Sequence, residues 1–449
     1  MSHNHSLIRY ISKQSKRMMT MTKYEVAIVG GGIAGLTAAI YAAKAGKRTI
    51  VLEQQKQLGG RAITNKKQGV YFNLGGHALY KGEAHETFRE LGLRIEGSTP
   101  SVDAYGMWKN QLLTLPMNVS SFIQTPILSR RGKLEFAKWF IKFGKMDTSI
   151  WNQISIRDWI ESQLHDPMLR NVFYALLRTS TYVLAPELHA AGPALKQLQR
   201  SLKGVLYLDK GWGTLVEELR ELAVQQGVEL VTGCKVVAVE HQDQKVHSIL
   251  CVDGTKIEAS NVILTTPPSI SHKLVPHADQ TALDTWKKQA IAVTIACLDV
   301  GLHRLPKPKH QFIYGLDQPI LFTNQSRDGK PRAAILSDDG TQVISLFKYQ
   351  GPQTDAEQDE EQLEQVLDVV QPGWRNELVT RQYLPKMTVV HDFPHMKRIE
   401  DPGPAIPEIE GLYVAGDWVS YGELLVDASV ASAKRAVSHL LNSREDIKL

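Results

Sequence analysis

The chain has 449 residues, 43% hydrophobic and 22% charged, the balance of a globular protein with room for two domains and a sizeable core. No run reaches the roughly 18 uninterrupted apolar residues of a membrane-spanning helix. The net charge of +5 is local: Arg9, Lys13, Lys16, Arg17 and Lys23 sit in an acid-free stretch and account for the whole excess, which argues against a nucleic-acid-binding face and leaves nucleic acid out of the expected partners.

In chain order, residues 1–22 form a polar, basic tail without the apolar centre of a secretory signal, read as a disordered or alternative-start extension, with an organellar transit peptide as the other reading. Tyr24–Val29 reads as a buried strand, Leu36–Ala45 as an alanine-rich helix and Arg48–Glu53 as a second strand, together a βαβ unit. From about Ser101 to Leu202 the pattern turns to long helices with aromatics. A helix opened by Gly211-Trp212-Gly213 then leads into alternating strands at Val228–Val231, Lys235–Glu240, Val246–Val252 and Asn261–Thr265, with Asp253-Gly254 as a hairpin turn. Further strands are expected at Ala290–Val300, Ala333–Leu336 and Gly411–Ala415, and helices near Asp355–Val370 and Ala428–Leu441. The organisation predicted is one domain from 23–100, 203–275 and 395–445 and a second from 101–202 and 276–394. Cys234, Cys251 and Cys297 include no close Cys-x-x-Cys spacing and are expected to be buried thiols of a reducing, cytoplasmic compartment.

The chemistry-bearing residues begin at Gly30-Gly31-Gly32-Ile33-Ala34-Gly35. Gly30 permits the tight turn after the strand, Gly32 lets backbone approach a pyrophosphate, and Gly35 allows close helix packing, so the helix N-terminus, with Ile33 and Ala34, faces phosphate charge. Glu53 ends the second strand, where a carboxylate can accept ribose hydroxyls and repel a 2′-phosphate. In Leu58-Gly59-Gly60-Arg61-Ala62-Ile63-Thr64, Gly59 and Gly60 let backbone pass close to a ligand while Arg61 balances pyrophosphate charge. Far away in sequence stands Val414-Ala415-Gly416-Asp417-Trp418. A second strand returning to the same ligand implies a long one.

With that Gly-Gly-Arg loop following the ribose acid, the chain resembles the flavoprotein superfamily of amine oxidases, phytoene desaturases and protoporphyrinogen oxidases from about Tyr24 to Leu441. The resemblance implies FAD as cofactor and an α/β fold: a Rossmann-like FAD-binding domain with a central parallel sheet, plus a discontinuous α+β substrate domain. It places Gly75-Gly76-His77 against the flavin, with His77 equally readable as a histidine satisfied by backbone. It gives Val236 as the match for a backbone contact to adenine, with a plain core strand as the other reading. Gly416-Asp417 looks like the flavin-binding step, and the helix entered at Asp427-Ala428-Ser429 would aim its amides at the pyrimidine edge. The family usually has Gly-Ala where this chain has Ala428-Ser429.

Family amine oxidases use an aromatic cage, a flavin-facing lysine and, in some members, a cysteine link. Here Leu424-Leu425-Val426 stand at the cage position, Ile291–Ala296 has no lysine, and no cysteine follows Cys297. The Ala-Gly-Asp-Trp run looks most like isoprenoid desaturases. The expected reaction is therefore dehydrogenation of a small apolar, isoprenoid or polyene-like substrate by hydride transfer to flavin N5, with no residue named as catalytic. The alternatives are a flavin amine oxidase, a protoporphyrinogen-type oxidase, or a prenyl-lipid carrier of the same fold that is not an enzyme. No metal site is expected, because zinc-type spacings are absent. Residues 133–145 form an amphipathic helix with Glu135, Lys138, Lys142 and Lys145 opposite Leu134, Phe136, Phe140, Ile141 and Phe143. It reads either as packed on its own domain or as a peripheral membrane contact, which would make the protein membrane-associated. The sequence sets no oligomeric state.

Overall fold

The computed structural model describes residues 23–99, 104–116, 121–122, 125–326 and 334–442; the tail at 1–22 lies outside them. Tyr24–Val29, apolar but for a half-buried Glu25, is a strand buried on both faces, as the middle of a parallel sheet requires. It pairs in parallel with Thr49–Glu53 on one side and Lys256–Leu264 on the other. Glu229–Thr232 extends the first side and Leu412–Val414 the second, both parallel, so three separated stretches of chain build one sheet. The start of Lys256–Leu264 continues antiparallel against Lys245–Cys251, which pairs with Val236–Gln242.

Helices Ile33–Lys44, Gly213–Gln225 and Leu425–Asn442 cover one face of this sheet, with Val26, Ile28, Leu36, Ile40, Leu219 and Ala433 in a shared core. The other face is closed by the antiparallel strands and by Pro268–Leu274 and Ala282–Gln289, around Ala27, Leu52, Ile249, Trp286 and Trp418. Trp418 of the C-terminal signature is thus a core residue, its indole donating to the Thr266 carbonyl. The first helix starts at Ile33 and not at Leu36, because the glycine run itself supplies the helix N-terminus.

The second sheet runs in the order Leu378–Val390, Val293–Leu302, Gln342–Tyr349, Ile320–Asn324, Phe312–Gly315, Ala104–Trp108, Gln111–Thr114. Its pairs are antiparallel except that of Phe312–Gly315 with Ala104–Trp108, which is parallel. The strand expected at Ala333–Leu336 does not form: residue 333 lies outside the described residues, Ala334 makes an isolated bridge to Ser326, and the Ile335 amide donates to the Asp209 side chain.

Four helices, Arg130–Phe143, Ile156–Gln163, Pro167–Thr181 and Ala191–Leu202, pack around Trp159, Leu169, Phe173 and Leu195. Ser129, Ser155 and Asp166 cap the first three by accepting from first-turn amides. The helix expected at 133–145 is Arg130–Phe143, and its faces differ from the expected ones. Glu135 points inward, accepting from the His165 and Asp166 amides, while Leu134, Phe140 and Ile141 stay exposed.

Asp299, in the middle of the second sheet, is buried and accepts from Ser345, Gln382 and the Cys297 thiol. Burial still outweighs these donors and pushes its carboxyl up to about 6. Between the unfolded value near 3.9 and about 6, the folded protein keeps a proton that the unfolded chain has released, so this group's contribution to stability falls as pH rises. Asp299→Asn should remove that fall. Urea midpoints of variant and wild type, compared from about pH 4 to about pH 6.5, should shift in the variant's favour up to about pH 6 and hold constant above it.

Candidate active site

A cleft of about 720 Å³ runs between the glycine turn at one end and the second domain at the other. Of the sequence-derived residues, Gly30, Gly32, Ile33, Ala34, Glu53, Gly59, Gly60 and Arg61 line its first part. Gly76, His77, Val236, Gly416 and Asp417 line the rest. Gly35, Gly75, Asp427 and Ala428 stand behind the wall.

The glycines divide by what a side chain would meet. A Cβ on Gly35 would lie 1.9 Å from the Gly30 carbonyl oxygen, and on Gly75, which has a φ of +88°, 2.3 Å from Met387 Sδ; both are demands of packing. A Cβ on Gly76 would meet Phe347 Cζ at 2.6 Å. At Gly32 the nearest atom would be the Gly59 carbonyl oxygen at 3.9 Å. Nothing in the protein fills the space there, so a ligand in the cleft can approach this backbone. The helix beginning at Ile33 has no side-chain cap and no acid in its first turn, so its positive end opens on the same space.

Glu53 accepts from the Gly31 amide at 2.8 Å and the Gln55 amide at 2.7 Å, one on each carboxylate oxygen. Each oxygen keeps a further lone pair, sufficient for a pair of ribose hydroxyls. Val236 opens its strand at the same end, beside Cys234.

At the other end Arg61 reaches across 356 positions of sequence to Asp417, 3.0 Å away, and also donates to the Val389 carbonyl. Asp417 accepts from the His391 amide at 2.7 Å and contacts the His391 ring at 3.2 Å. Burial alone would raise its carboxyl, but the Arg61 guanidinium and His391 outweigh that and hold it well below the usual carboxylate range. Asp417 is therefore an anion throughout the neutral range. His77 lines the cleft, held against the Gly75 carbonyl at 3.0 Å and edge-on to Trp212, and burial lowers its pKa.

The helix at the flavin-binding step starts at Leu425, two residues earlier than the expected Asp427. Leu425, Val426 and Ser429 line the cleft. Asp427 turns the other way, accepting from the Ala84 amide at 2.9 Å at the start of helix Glu83–Glu90; burial pushes its carboxyl up to about 6. The Ala428 amide already donates to the Leu424 carbonyl, so helix N-terminal amides for a ligand come from the residues before it. Leu425 has a φ of 59°, a left-handed conformation that costs a branched residue roughly 1–3 kcal/mol and clusters at ligand sites.

Sequence reasoning missed the wall contributed by the second domain: Tyr182, Lys386, Met387, Val389 and His391, with Tyr80 opposite. None carries a motif. Lys386, Met387 and Val389 lie on strand Leu378–Val390, which comes to the cleft only through the second sheet, His391 follows it, and Tyr182 caps helix Pro167–Thr181.

A family description, flavin containing amine oxidoreductase, matches residues 33–441. The chain belongs to that family. Its cofactor is FAD, and the uncapped helix, the open space at Gly32 and the spare acceptor capacity of Glu53 fit it. Among characterised proteins, the chain is 23% identical over 357 residues to the 15-cis-phytoene desaturase of Solanum lycopersicum, covering 73% of this chain and 58% of that protein. It is 41% identical over 70 residues to a probable flavin-containing monoamine oxidase A of Dictyostelium discoideum, covering 16% of this chain and 15% of that protein. The crystal structure of an oxidoreductase from Methanosarcina mazei superposes with a TM-score of 0.74 at 18% identity, over 93% of this chain and all of that one. At this identity the likeness concerns the fold.

Gly35→Ala should cost the apoprotein roughly 1–3 kcal/mol by overpacking, seen as a lower urea midpoint. Gly32→Ala should leave that midpoint within about 0.5 kcal/mol while weakening FAD binding at least about tenfold by fluorescence titration. Undiminished FAD affinity in the Gly32 variant would show that the open space is not where the cofactor lies.

Proposed function

We propose that this flavoenzyme dehydrogenates a C–C bond of a small apolar, isoprenoid or polyene-like substrate. The observation that carries the reading is the state of the two carboxylates on the cleft wall. Glu53 is bound by the Gly31 and Gln55 amides, and Asp417 by Arg61 and His391. Asp417 is thereby kept from the ammonium group of an amine, and the spare acceptors of Glu53 belong to the ribose end; desolvating an unpaired cation is costly. Leu425, Val426, Met387 and Ile270 instead offer apolar contact.

FAD supplies the hydride acceptor when bound. The chain's own residues act by position: Arg61 and the N-terminal amides of two helices hold negative charge, His77 keeps Trp212 and the Gly75 carbonyl in place, and the aliphatic wall excludes water and orients the substrate. No general base is needed on the cleft wall for such a transfer. The phytoene desaturase relative supports this reading over most of the chain. The aromatic rings of Tyr80 and Tyr182 support the second one, an amine oxidase, since π faces attract cations. A protoporphyrinogen-type oxidase has no observation of its own here, and the carrier reading yields to family membership.

The lipophilic substrate gives meaning to helix Arg130–Phe143. Leu134, Phe140 and Ile141 are 67%, 64% and 77% exposed, flanked by Arg130, Arg131, Lys133, Lys138 and Lys142. Apolar side chains bordered by cations suit the surface of an anionic bilayer.

Anaerobic mixing with a phytoene-like polyene should bleach the flavin absorbance, and a panel of simple primary and secondary amines should not. The reverse pattern would establish the amine reading. In flotation, the protein should rise with vesicles containing anionic lipid, and Leu134→Ser/Phe140→Ser/Ile141→Ser should abolish this with flavin content intact. A wild-type protein that stays at the bottom of the gradient would remove the membrane contact.

A further inference from the structure

Cys234 and Cys251 are 17 positions apart, and the sequence suggests nothing about them as a pair. The fold brings them together at the adenosine end of the cleft. Gly233, with a φ of +70°, turns the chain out of strand Glu229–Thr232, and the next amide, that of Cys234, donates to the Glu53 carbonyl at 2.9 Å. The Gly233 amide donates to the Gln55 carbonyl at 2.8 Å, so this turn is stitched to the segment carrying the ribose acid. Cys251 ends strand Lys245–Cys251, in register with Val236. The Val252 amide donates to the Lys235 carbonyl at 2.8 Å, fixing that register one step further. The outcome is a contact of 2.6 Å between the two sulfurs. Cys234 lines the cleft, whereas Cys251 is buried behind it. One thiol is thus open to a small reagent and the other is placed to resolve the adduct, the arrangement that thiol–disulfide exchange requires.

We propose that Cys234 and Cys251 form a reversible disulfide by exchange with a low-molecular-weight disulfide, and that this bond fixes the cleft wall beside the adenosine of FAD. The Cys234 thiolate attacks one sulfur of the small disulfide, forming a mixed disulfide with it and expelling the other sulfur as a thiolate. Cys251 then attacks the Cys234 sulfur of the mixed disulfide and expels the second small thiolate. The two protons released by the cysteines end on the two small thiols. The protein is oxidised by two electrons and the small disulfide is reduced by two. Because the bonded turn also carries the contacts to Glu53 and Gln55, closing it ties three segments of the adenosine wall to one another. FAD then leaves more slowly from the oxidised protein.

Cys297 is an internal reference. It is buried in the second domain, where burial and the neighbouring Asp299 push its thiol up, and it donates to that carboxylate. It should not react.

The test uses the FAD-loaded protein, reduced with a thiol and then held in oxidised glutathione. Peptide mapping without reduction should recover Cys234 joined to Cys251, a loss of two hydrogens, with Cys297 still a thiol. Cys251→Ser should stop at the glutathione adduct on Cys234. FAD release, followed by the rise in flavin fluorescence on dilution, should be at least severalfold slower in the oxidised wild type than in the reduced one, with no such difference in Cys251→Ser. A persistent glutathione adduct in the wild type, or cysteines that stay reduced throughout, would overturn the disulfide. A linked peptide with equal release rates would overturn its role at the cofactor wall. None of these readouts depends on which substrate the enzyme dehydrogenates.

Discussion

The ion pair between Arg61 and Asp417 joins the parts of the molecule that everything else positions. Its two members arrive from opposite ends of the described chain, one on the loop after the ribose acid and one on the step after the last strand of the parallel sheet. The same guanidinium takes the Val389 carbonyl, and the same carboxylate takes the His391 amide, so the second domain's long strand is tied to both. Removing one partner of such a pair leaves a poorly solvated charge behind, which typically costs about 3–5 kcal/mol when fully buried and less here, where Arg61 is half-exposed. Arg61 alone would present a full positive charge to the cleft, and Asp417 offsets most of it, leaving the helix N-termini to set the remaining field.

That linkage explains why two discontinuous domains form one cleft. The parallel sheet supplies three elements to the floor: the turn after Tyr24–Val29, the end of Thr49–Glu53 and the step after Leu412–Val414. In a sheet of this topology the carboxyl ends of the strands share one edge, so ligand contacts gather there without any need for sequence proximity. The roof comes from the antiparallel sheet, whose edge strand Leu378–Val390 runs over the cleft and supplies Met387 and Val389. Met387 closes the gap over Gly75, and Phe347 does the same over Gly76, which is why that glycine pair cannot carry side chains.

The nucleotide half of the site was legible because its residues are demanded by backbone geometry. A glycine with a φ of +111° at Gly30 and another packed against its carbonyl at Gly35 leave a spacing that any reader of the sequence can find. Glu53 was legible for a related reason, since a strand end fixes where its carboxylate falls. The substrate half was not. Tyr182 and His391 owe their positions to tertiary packing of a sheet whose strands are strung from residue 104 to residue 390, Tyr80 to pairing of Leu79–Tyr80 with Val205–Leu208, and nothing local distinguishes them. The last helix misled for a subtler reason. Its amides were expected from Asp427-Ala428-Ser429, but the helix begins at Leu425, so the Ala428 amide is already taken by the Leu424 carbonyl and the Asp427 side chain is rotated away from the cleft onto the next helix.

The rotation has a chemical consequence. With Asp427 facing the cleft, the pyrimidine edge of the flavin would meet a carboxylate close to the point where reduction builds negative charge, and the two would repel. Turned toward Ala84 instead, the acid serves a different helix N-terminus, while Leu425 and Val426 present only backbone amides and aliphatic surface to the cleft. The positive end of the C-terminal helix is then not neutralised by its own first-turn acid on the cleft side. Were the pyrimidine edge of FAD to lie there, helix dipole and free amides would favour its reduced, anionic form. Beside them the cleft wall combines the apolar Leu425, Val426 and Met387 with Lys386 and His391.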